Sequence, residues 1–335
     1  MGKNKNKKYN VPDESHLLLP NPNAATTPII DTHTHLLTTF SAYKSKYSAG
    51  KYDTIWDFVR GMYHQRNVKA IVDVWCEAPV QPAWKEVADS AVSAQDRAEK
   101  WGGIEYWFVM GVHPHEAKLY DDAVERSILE AMTHSRCVGW GEIGLDYHYD
   151  NSPRDVQQRV FARQLRAAVQ LGKPLTIHTR EAEEDTERIL KEEVPVDHKI
   201  HIHCFTDTPE FAQRLLAHFP NLYIGITGVI SYSTNINTAA LVRQMIQTEA
   251  GPGAASPDGD KDKPGPRILL ETDAPFMVPS NIYASLPEVK GRLPLCHTAM
   301  IPWVAECVAD IVGDGWDPVD VMQRANENAR AVYGI

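Results

Sequence analysis

Long apolar runs are missing from this 335-residue sequence. The longest, such as Ala70-Ile71-Val72 and Leu222 to Ile226, are strand-sized and fall far short of the ~20 residues a membrane helix needs. No membrane association is expected on that ground. Positive charge is also scarce. Its 34 Lys and Arg against 44 Asp and Glu leave a formal charge of −10, so no broad basic field exists to grip a polyanion and any phosphate contact must be local. Cysteine is sparse and odd in number. Cys76, Cys137, Cys204, Cys296 and Cys307 are widely spaced without a Cys-x-x-Cys pair, which argues against a disulfide framework or zinc knuckle and predicts reduced thiols. The basic start, Met1-Gly2-Lys3-Asn4-Lys5, lacks the apolar stretch of a signal peptide, and Asn6 stands where a myristoylation signal needs Ser or Thr. A cytoplasmic or nuclear location follows as the expectation. Wholesale disorder is excluded by 43 % hydrophobic and 9 % aromatic residues.

What is present is a rhythm. Residues 1–27 are polar and aperiodic and read as a flexible N-terminal tail, leaving 28–335 as one domain. Short β-branched runs then recur at Ile29–His33, Val68–Val74, Tyr106–Val112, Cys137–Glu142, Pro174–His178, Lys199–Cys204, Leu222–Ile226 and Ile268–Asp273, which makes eight candidate strands. Helical spacing lies between them. From Asp155 to Leu171 the residues Val160, Phe161, Leu165, Ala168 and Val169 form one stripe, ended by Gly172-Lys173-Pro174. Thr208-Pro209-Glu210 opens another helix, with Pro at its first position. Eight strands alternating with helices predict an α/β fold, a parallel TIM (β/α)8 barrel, which takes typically ~250 residues before insertions. Two excursions use the surplus length: residues 36–67, and the Gly/Pro-rich stretch 251–267, expected to be a flexible loop.

The chemistry lies in where metal-type side chains fall. Asp31-Thr-His-Thr-His35 ends the first run, and residues two apart in extended backbone face the same side, so His33 and His35 can address one ion. Glu142 ends the fourth run, His178 the fifth, His203 the sixth and Asp273 the eighth. In a parallel barrel those carboxyl ends form the face on which active sites are built. One such histidine alone reads as an ordinary core residue; six ligand types at equivalent positions read as a metal site, because acids buried among imidazoles are costly without a cation. Six ligands exceed the three that hold a single catalytic zinc, and suffice for two ions ~3.5–4 Å apart if a carboxylate bridges. The expected allocation is His33, His35 and Asp273 on one ion and His178 and His203 on the other, with Glu142 spanning both. Nitrogen and oxygen donors without thiolate suit Zn²⁺ or Mn²⁺, with Mg²⁺ also open. Cys204 should point away from the ions. Asp273 is the candidate to orient a water and take its proton.

The motifs, in order, resemble those of the TatD family of metal-dependent deoxyribonucleases. They are Asp31-Thr-His-Thr-His35, Gly111-Val-His-Pro-His115, Gly141-Glu-Ile-Gly-Leu-Asp146, His178-Thr-Arg-Glu181, His203-Cys-Phe205, Glu271-Thr-Asp-Ala-Pro275 and Asn326-Glu-Asn-Ala-Arg330. The resemblance runs from about Ile29 to the C-terminus. It implies a TIM barrel of the amidohydrolase superfamily and metal-dependent hydrolysis of phosphodiesters, often 3′→5′. It also implies that His113 lies near the scissile phosphate, that Arg180 contacts a phosphate and that Asp146 supports the metal ligands. Where the family commonly carries a basic Arg-Asn-Glu-Pro segment, this chain has Met277-Val-Pro-Ser-Asn281 and then Gly291 to Pro302, so it is similar to a divergent, eukaryotic or fungal-like branch. His297 in that stretch reads either as a cleft residue or as a packing residue.

The expected activity is thus hydrolysis of DNA or RNA ester bonds, on a single-stranded or frayed end, since a barrel-top pocket is too narrow for a duplex. Two other readings use the same residues. A small-molecule or aminoacyl-tRNA ester hydrolase would keep the same ions, although the fourth strand offers Glu142 where many such enzymes bridge through a carboxylated lysine. A scaffold bound to a protein partner would use residues 277–302 and 36–67. The aromatics Tyr43, Tyr47, Tyr52, Trp56 and Phe58 of the second segment read as packing against the barrel or as stacking bases.

Overall fold

The computed structural model describes residues 11–19, 26–250, 265–313 and 315–335. Its eight strands are β1 (Ile29–Thr34), β2 (Val68–Trp75), β3 (Glu105–Met110), β4 (Cys137–Asp146), β5 (Leu175–Arg180), β6 (Ile200–Ile202), β7 (Leu222–Ile226) and β8 (Ile268–Leu270). They pair in sequence order, every pair parallel. The ring closes where the Asp273 N–H donates to the His33 carbonyl and the His35 N–H to the Ala274 carbonyl, both at 2.9 Å. This is a TIM (β/α)8 barrel in a single domain. The strands read as apolar runs rather than alternating ones because parallel strands are covered on both faces, and β1, β7 and β8 are buried at every position.

Two layers of packing result. Inside the barrel, Ile30, Val72, Val109 and Leu269 meet Val332 and Tyr333 from the C-terminal helix Pro318–Tyr333. That helix plugs the amino end of the barrel, and the Asn326 to Arg330 motif clamps it. Asn326 Nδ2 donates to the Pro28 carbonyl (2.8 Å), and Asn328 Nδ2 to the carbonyls of Pro266 (2.9 Å) and Ile268 (2.7 Å). Outside, the helices bury a larger apolar shell against the strands, with Phe58, Trp101, Phe161 and Phe211 fully or almost fully covered.

The helix expected from Asp155 to Leu171 runs from Arg154 to Gln170, and its buried face differs from the apolar stripe. Phe161, Leu165 and Ala168 are buried, but so are Gln157 and Gln164, while Val160 and Val169 are only half-buried. Each glutamine pins backbone at the carboxyl end of a strand, Gln164 just after β3 and Gln157 at the last residue of β4. The Gln164 amide exchanges hydrogen bonds with both backbone groups of Val112, at 2.9 and 3.1 Å, and Gln157 does the same with Asp146, at 2.9 Å each way. Thr208 caps the helix Pro209–His218, as its sequence indicates.

Residues 36–67 form two helices, Leu36–Lys46 and Ile55–Tyr63, whose aromatics pack rather than stand open. Tyr43 and Phe58 are fully buried, and Trp56 meets Trp101 edge-on at 5.1 Å. The segment expected to be a flexible tail lies partly outside the described residues, but residues 11–19 dock on the barrel. Leu17 is fully buried and Leu19 nearly so. Glu14 accepts from Tyr43 Oη at 2.5 Å. Of the loop expected over 251–267, residues 251–264 lie outside the described residues; Pro266 is buried. All five cysteines are free thiols.

Candidate metal centre

The carboxyl ends of the strands carry their side chains to one point, and Glu142 is its hub. The residue is 3 % exposed at the middle of β4. Its two oxygens face different sets of imidazoles. Oε2 lies 3.5 Å from His33 Nε2 and 3.8 Å from His35 Nε2. Oε1 lies 2.9 Å from His178 Nδ1, 2.9 Å from His203 Nε2 and 3.4 Å from His113 Nε2. Asp273 completes the first set, 3.4 Å from His35 and 3.8 Å from His33. All six residues expected as ligands therefore converge, and His113 joins them. Arg180 does not. Its guanidinium sits 5.1 Å above the Tyr149 ring and forms no ion pair among the described residues.

Other groups hold this cluster in place. Asp146 Oδ2 touches His178 Nε2 (3.3 Å) and His115 Nε2 (2.8 Å), orienting the His178 ring from behind. Asp31, fully buried, accepts from Thr272 Oγ1 at 2.6 Å, the Thr272 N–H at 3.0 Å and Thr298 Oγ1 at 2.8 Å, tying β1 to the segment that bears Asp273. Asp273 itself sits at φ 50°, in the left-handed region where Asp is among the better tolerated residues. Glu271 reaches across from β8 to His201 Nε2 at 2.8 Å and stands 3.8 Å from His203 Nδ1. The Tyr333 hydroxyl bonds His201 Nδ1 (2.8 Å) and Thr176 Oγ1 (2.7 Å), so the C-terminal helix is wired to the cluster through the barrel interior. Neither Glu271 nor His201 was singled out as a site residue by sequence reasoning. A second acid at alternate spacing in Glu271-Thr-Asp273 was the available signal. Two further residues fall outside the centre: His297 is buried, with Nε2 3.0 Å from the Leu17 carbonyl. Cys204 turns to Thr227, Sγ to Oγ1 3.4 Å.

The electrostatics are those of charges crowded away from water. Burial works to raise the Glu142 pKa, yet the imidazoles of His203, His113 and His178 hold it well below the usual carboxylate range. Burial lowers His33 to about 4, helped by the charge of His203, and lowers His113 to about 4 as well. At His35 and His178 burial is overcome by carboxylates, Asp273 for one and Asp146 with Glu142 for the other, and both rise to about 9.

These residues fit divalent cations. Both ring nitrogens of the fully buried His33 and Nδ1 of His203 lack a hydrogen-bond partner, a state that costs about 1–3 kcal/mol per group unless something accepts the lone pair. Three groupings bring metal-type donor atoms within 4.8 Å of one another: His33, His35 and Glu142; His113, Glu142 and His178; and His33, His203 and Glu271. The donors are imidazole nitrogens and carboxylate oxygens with no thiolate, a set suited to Zn²⁺ or Mn²⁺.

Comparison with known proteins places the chain among nucleases. The model of the TatD related DNase family matches residues 30–334. The human 3'-5' RNA nuclease TATDN2 is 41 % identical over 181 residues, which is 54 % of this chain and 21 % of the human protein. The 3'-5' ssDNA/RNA exonuclease TatD of Escherichia coli is 28 % identical over 68 % of this chain and 78 % of its own. Among solved structures, a TatD family hydrolase from Entamoeba histolytica superposes with a TM-score of 0.68 at 19 % identity, over 92 % of this chain and 98 % of that one, a likeness of fold. With a family match that spans nearly all of the barrel, this chain belongs to the TatD related DNase family.

Proposed function

We propose that this protein is a divalent-metal-dependent nuclease that removes nucleotides from the 3′ end of single-stranded or frayed DNA or RNA, using two ions. The observation that carries this reading is the division of labour at Glu142, whose Oε2 faces His33 and His35 while Oε1 faces His178 and His203. His33, His35 and Asp273 would hold one ion and His178 and His203 the other, with Glu142 shared between them. Bound there, the ions lower the pKa of water and stabilise charge on the phosphoryl oxygens.

The chain's own residues do the rest. Asp273, 8 % exposed at the edge of the mouth, orients the attacking water and takes its proton. His113, its Nε2 3.4 Å from Glu142 and its side chain 17 % exposed, meets the phosphate beside the ions. Arg180, free of carboxylate partners among the described residues, holds a phosphate further along the strand. Support for a nucleic-acid substrate comes from the relatives, which are named as nucleases of RNA or of single-stranded DNA and RNA.

The test is metal content per chain by mass spectrometry, together with digestion of end-labelled single-stranded DNA and RNA in Mg²⁺, Mn²⁺ or Zn²⁺. Two ions per chain and a ladder that shortens from the 3′ end are expected, with one ion lost in Asp273→Asn. One ion in the wild type overturns the two-ion site. No cleavage in any of the three metals overturns the nuclease.

A further inference from the structure

Exposed aromatics are few among the described residues, and one of them stands beside the candidate centre in a setting that is built rather than incidental. Tyr149, in the turn after β4, is 47 % exposed. Three charged or titratable neighbours brace its ring. The Arg180 guanidinium lies over one face at 5.1 Å, and the His115 and His148 imidazoles meet it edge-on at 5.5 and 4.6 Å, with interplanar angles of 87° and 89°. Its backbone is fixed as well, because the Tyr149 N–H donates to Asp146 Oδ1 at 3.2 Å. The other oxygen of that carboxylate touches His178. A continuous path of rings, His178–His113–His115–Tyr149, leads from the cluster to this residue in centroid steps of 4.6, 4.3 and 5.5 Å.

We propose that Tyr149, backed by Arg180, is a stacking shelf for an unpaired nucleobase of the strand being cut. The inference rests on the nuclease reading above and deepens it by naming how a single strand is gripped. A net charge of −10 leaves the protein little general attraction for a polyanion, so affinity must come from a few local contacts. Stacking is such a contact. Every base offers a π-face, so it is indifferent to sequence, and a paired base inside a duplex cannot offer that face. A ring already locked by three neighbours and a backbone hydrogen bond loses little freedom when a base lands on it. The guanidinium behind the ring also draws its electrons toward the braced face and sets one positive charge within reach of a phosphate-bearing ligand, balanced nearby by the carboxylates of Asp146 and of Glu181, the latter 2.6 Å from His148 Nδ1. No other aromatic within this ring path is as open: His113 and His115 are half-buried.

The experiment compares wild type, Tyr149→Phe and Tyr149→Ala as intact, metal-loaded chains on three probes: a single-stranded DNA, the same sequence as RNA, and a small abasic deoxyribose dimer, which has a diester but no base or other aromatic ring. Tyr149→Ala should raise KM for both oligonucleotides by about 5- to 100-fold, the range base stacking on an aromatic spans, with little change in kcat. Its turnover of the small diester should be unchanged. Tyr149→Phe, which keeps the ring, should behave as wild type. A 2-aminopurine base near the 3′ end should be quenched on binding to wild type and to Tyr149→Phe but not to Tyr149→Ala. An unaltered KM and unaltered quenching in Tyr149→Ala would overturn the shelf while leaving the nuclease standing. A wild type that hydrolyses the small diester but neither oligonucleotide would overturn both. Equal losses in Tyr149→Phe and Tyr149→Ala would assign the effect to the hydroxyl and overturn stacking.

Discussion

Replacing Glu142 with Gln removes one negative charge and almost no volume, so its effect isolates the charge at the hub. The carboxylate stands within 3.8 Å of five imidazoles: His33, His35, His113, His178 and His203. A cation seated among those nitrogens lies within about 4 Å of the same oxygens, where one unit of charge at an effective dielectric of about 20 is worth about 4 kcal/mol. For a divalent ion that is a floor, equivalent to about a thousandfold in metal affinity. Even outer-shell partners of metal ligands cost 10–100-fold when removed, so a hub ligand must exceed that range. Glu142→Gln, dialysed against micromolar metal and assayed by mass spectrometry, should retain no ion at either position and should lose exonuclease activity in step. Without metal, the same variant leaves protonated His35 and His178 with one fewer counter-charge, and its thermal midpoint in chelator should fall below that of wild type. A Glu142→Gln protein that keeps its full metal complement and its rate would refute the assignment of Glu142 as the shared ligand.

Two further outcomes test the frame around the site. At Gly225 on β7, a methyl group would lie 2.4 Å from Glu271 Oε1 and 2.5 Å from His201 Nε2. Gly225→Ala should therefore cost about 1–3 kcal/mol in urea unfolding and disturb the His203 side of the centre; a variant as stable and active as wild type would show that the Glu271–His201 pair does not need this space. His297 supplies a pH test. Burial lowers it to about 4, whereas an unfolded imidazole titrates near 6.5, so the unfolded chain takes up the proton first as the pH falls. The stability contributed by neutral His297 is whole above about pH 6.5 and is lost progressively down to about pH 4. Wild type should lose about 3 kcal/mol more than His297→Gln across that window, since Gln keeps a donor for the Leu17 carbonyl without titrating. Parallel stability curves for the two proteins would contradict it.

The barrel and most of the centre were legible because their determinants are local. Strand runs such as Val68–Val74 and Leu222–Ile226 announce themselves by composition, and the carboxyl end of a strand is defined by its own residues, so His33, His178 and His203 could be placed on one face without any knowledge of pairing. Gln157 and Gln164 were not legible. Periodicity reports which side of a helix faces inward only through apolarity, and these two amides face inward to satisfy the backbone of Val112 and Asp146, partners 52 and 11 residues away. His297 illustrates the same limit: its sequence allows a cleft or a packing role, and the Leu17 carbonyl, 280 residues away, decides for packing.

The residues of the centre and their chemical type belong to the sequence alone, as does the strand end each occupies save for Glu142, which the sequence puts at the end of its run and the structure puts mid-strand in β4, because ligand identity and alternation along a strand are properties of neighbouring residues. Tertiary structure alone decided the rest. It set the two faces of Glu142 toward separate imidazoles, docked residues 11–19 onto the barrel, left Arg180 on Tyr149 instead of a carboxylate, and joined Glu271 to His201. Each depends on distances between segments far apart in the chain, which are fixed only when the ring closes and its side chains compete for the same interior volume.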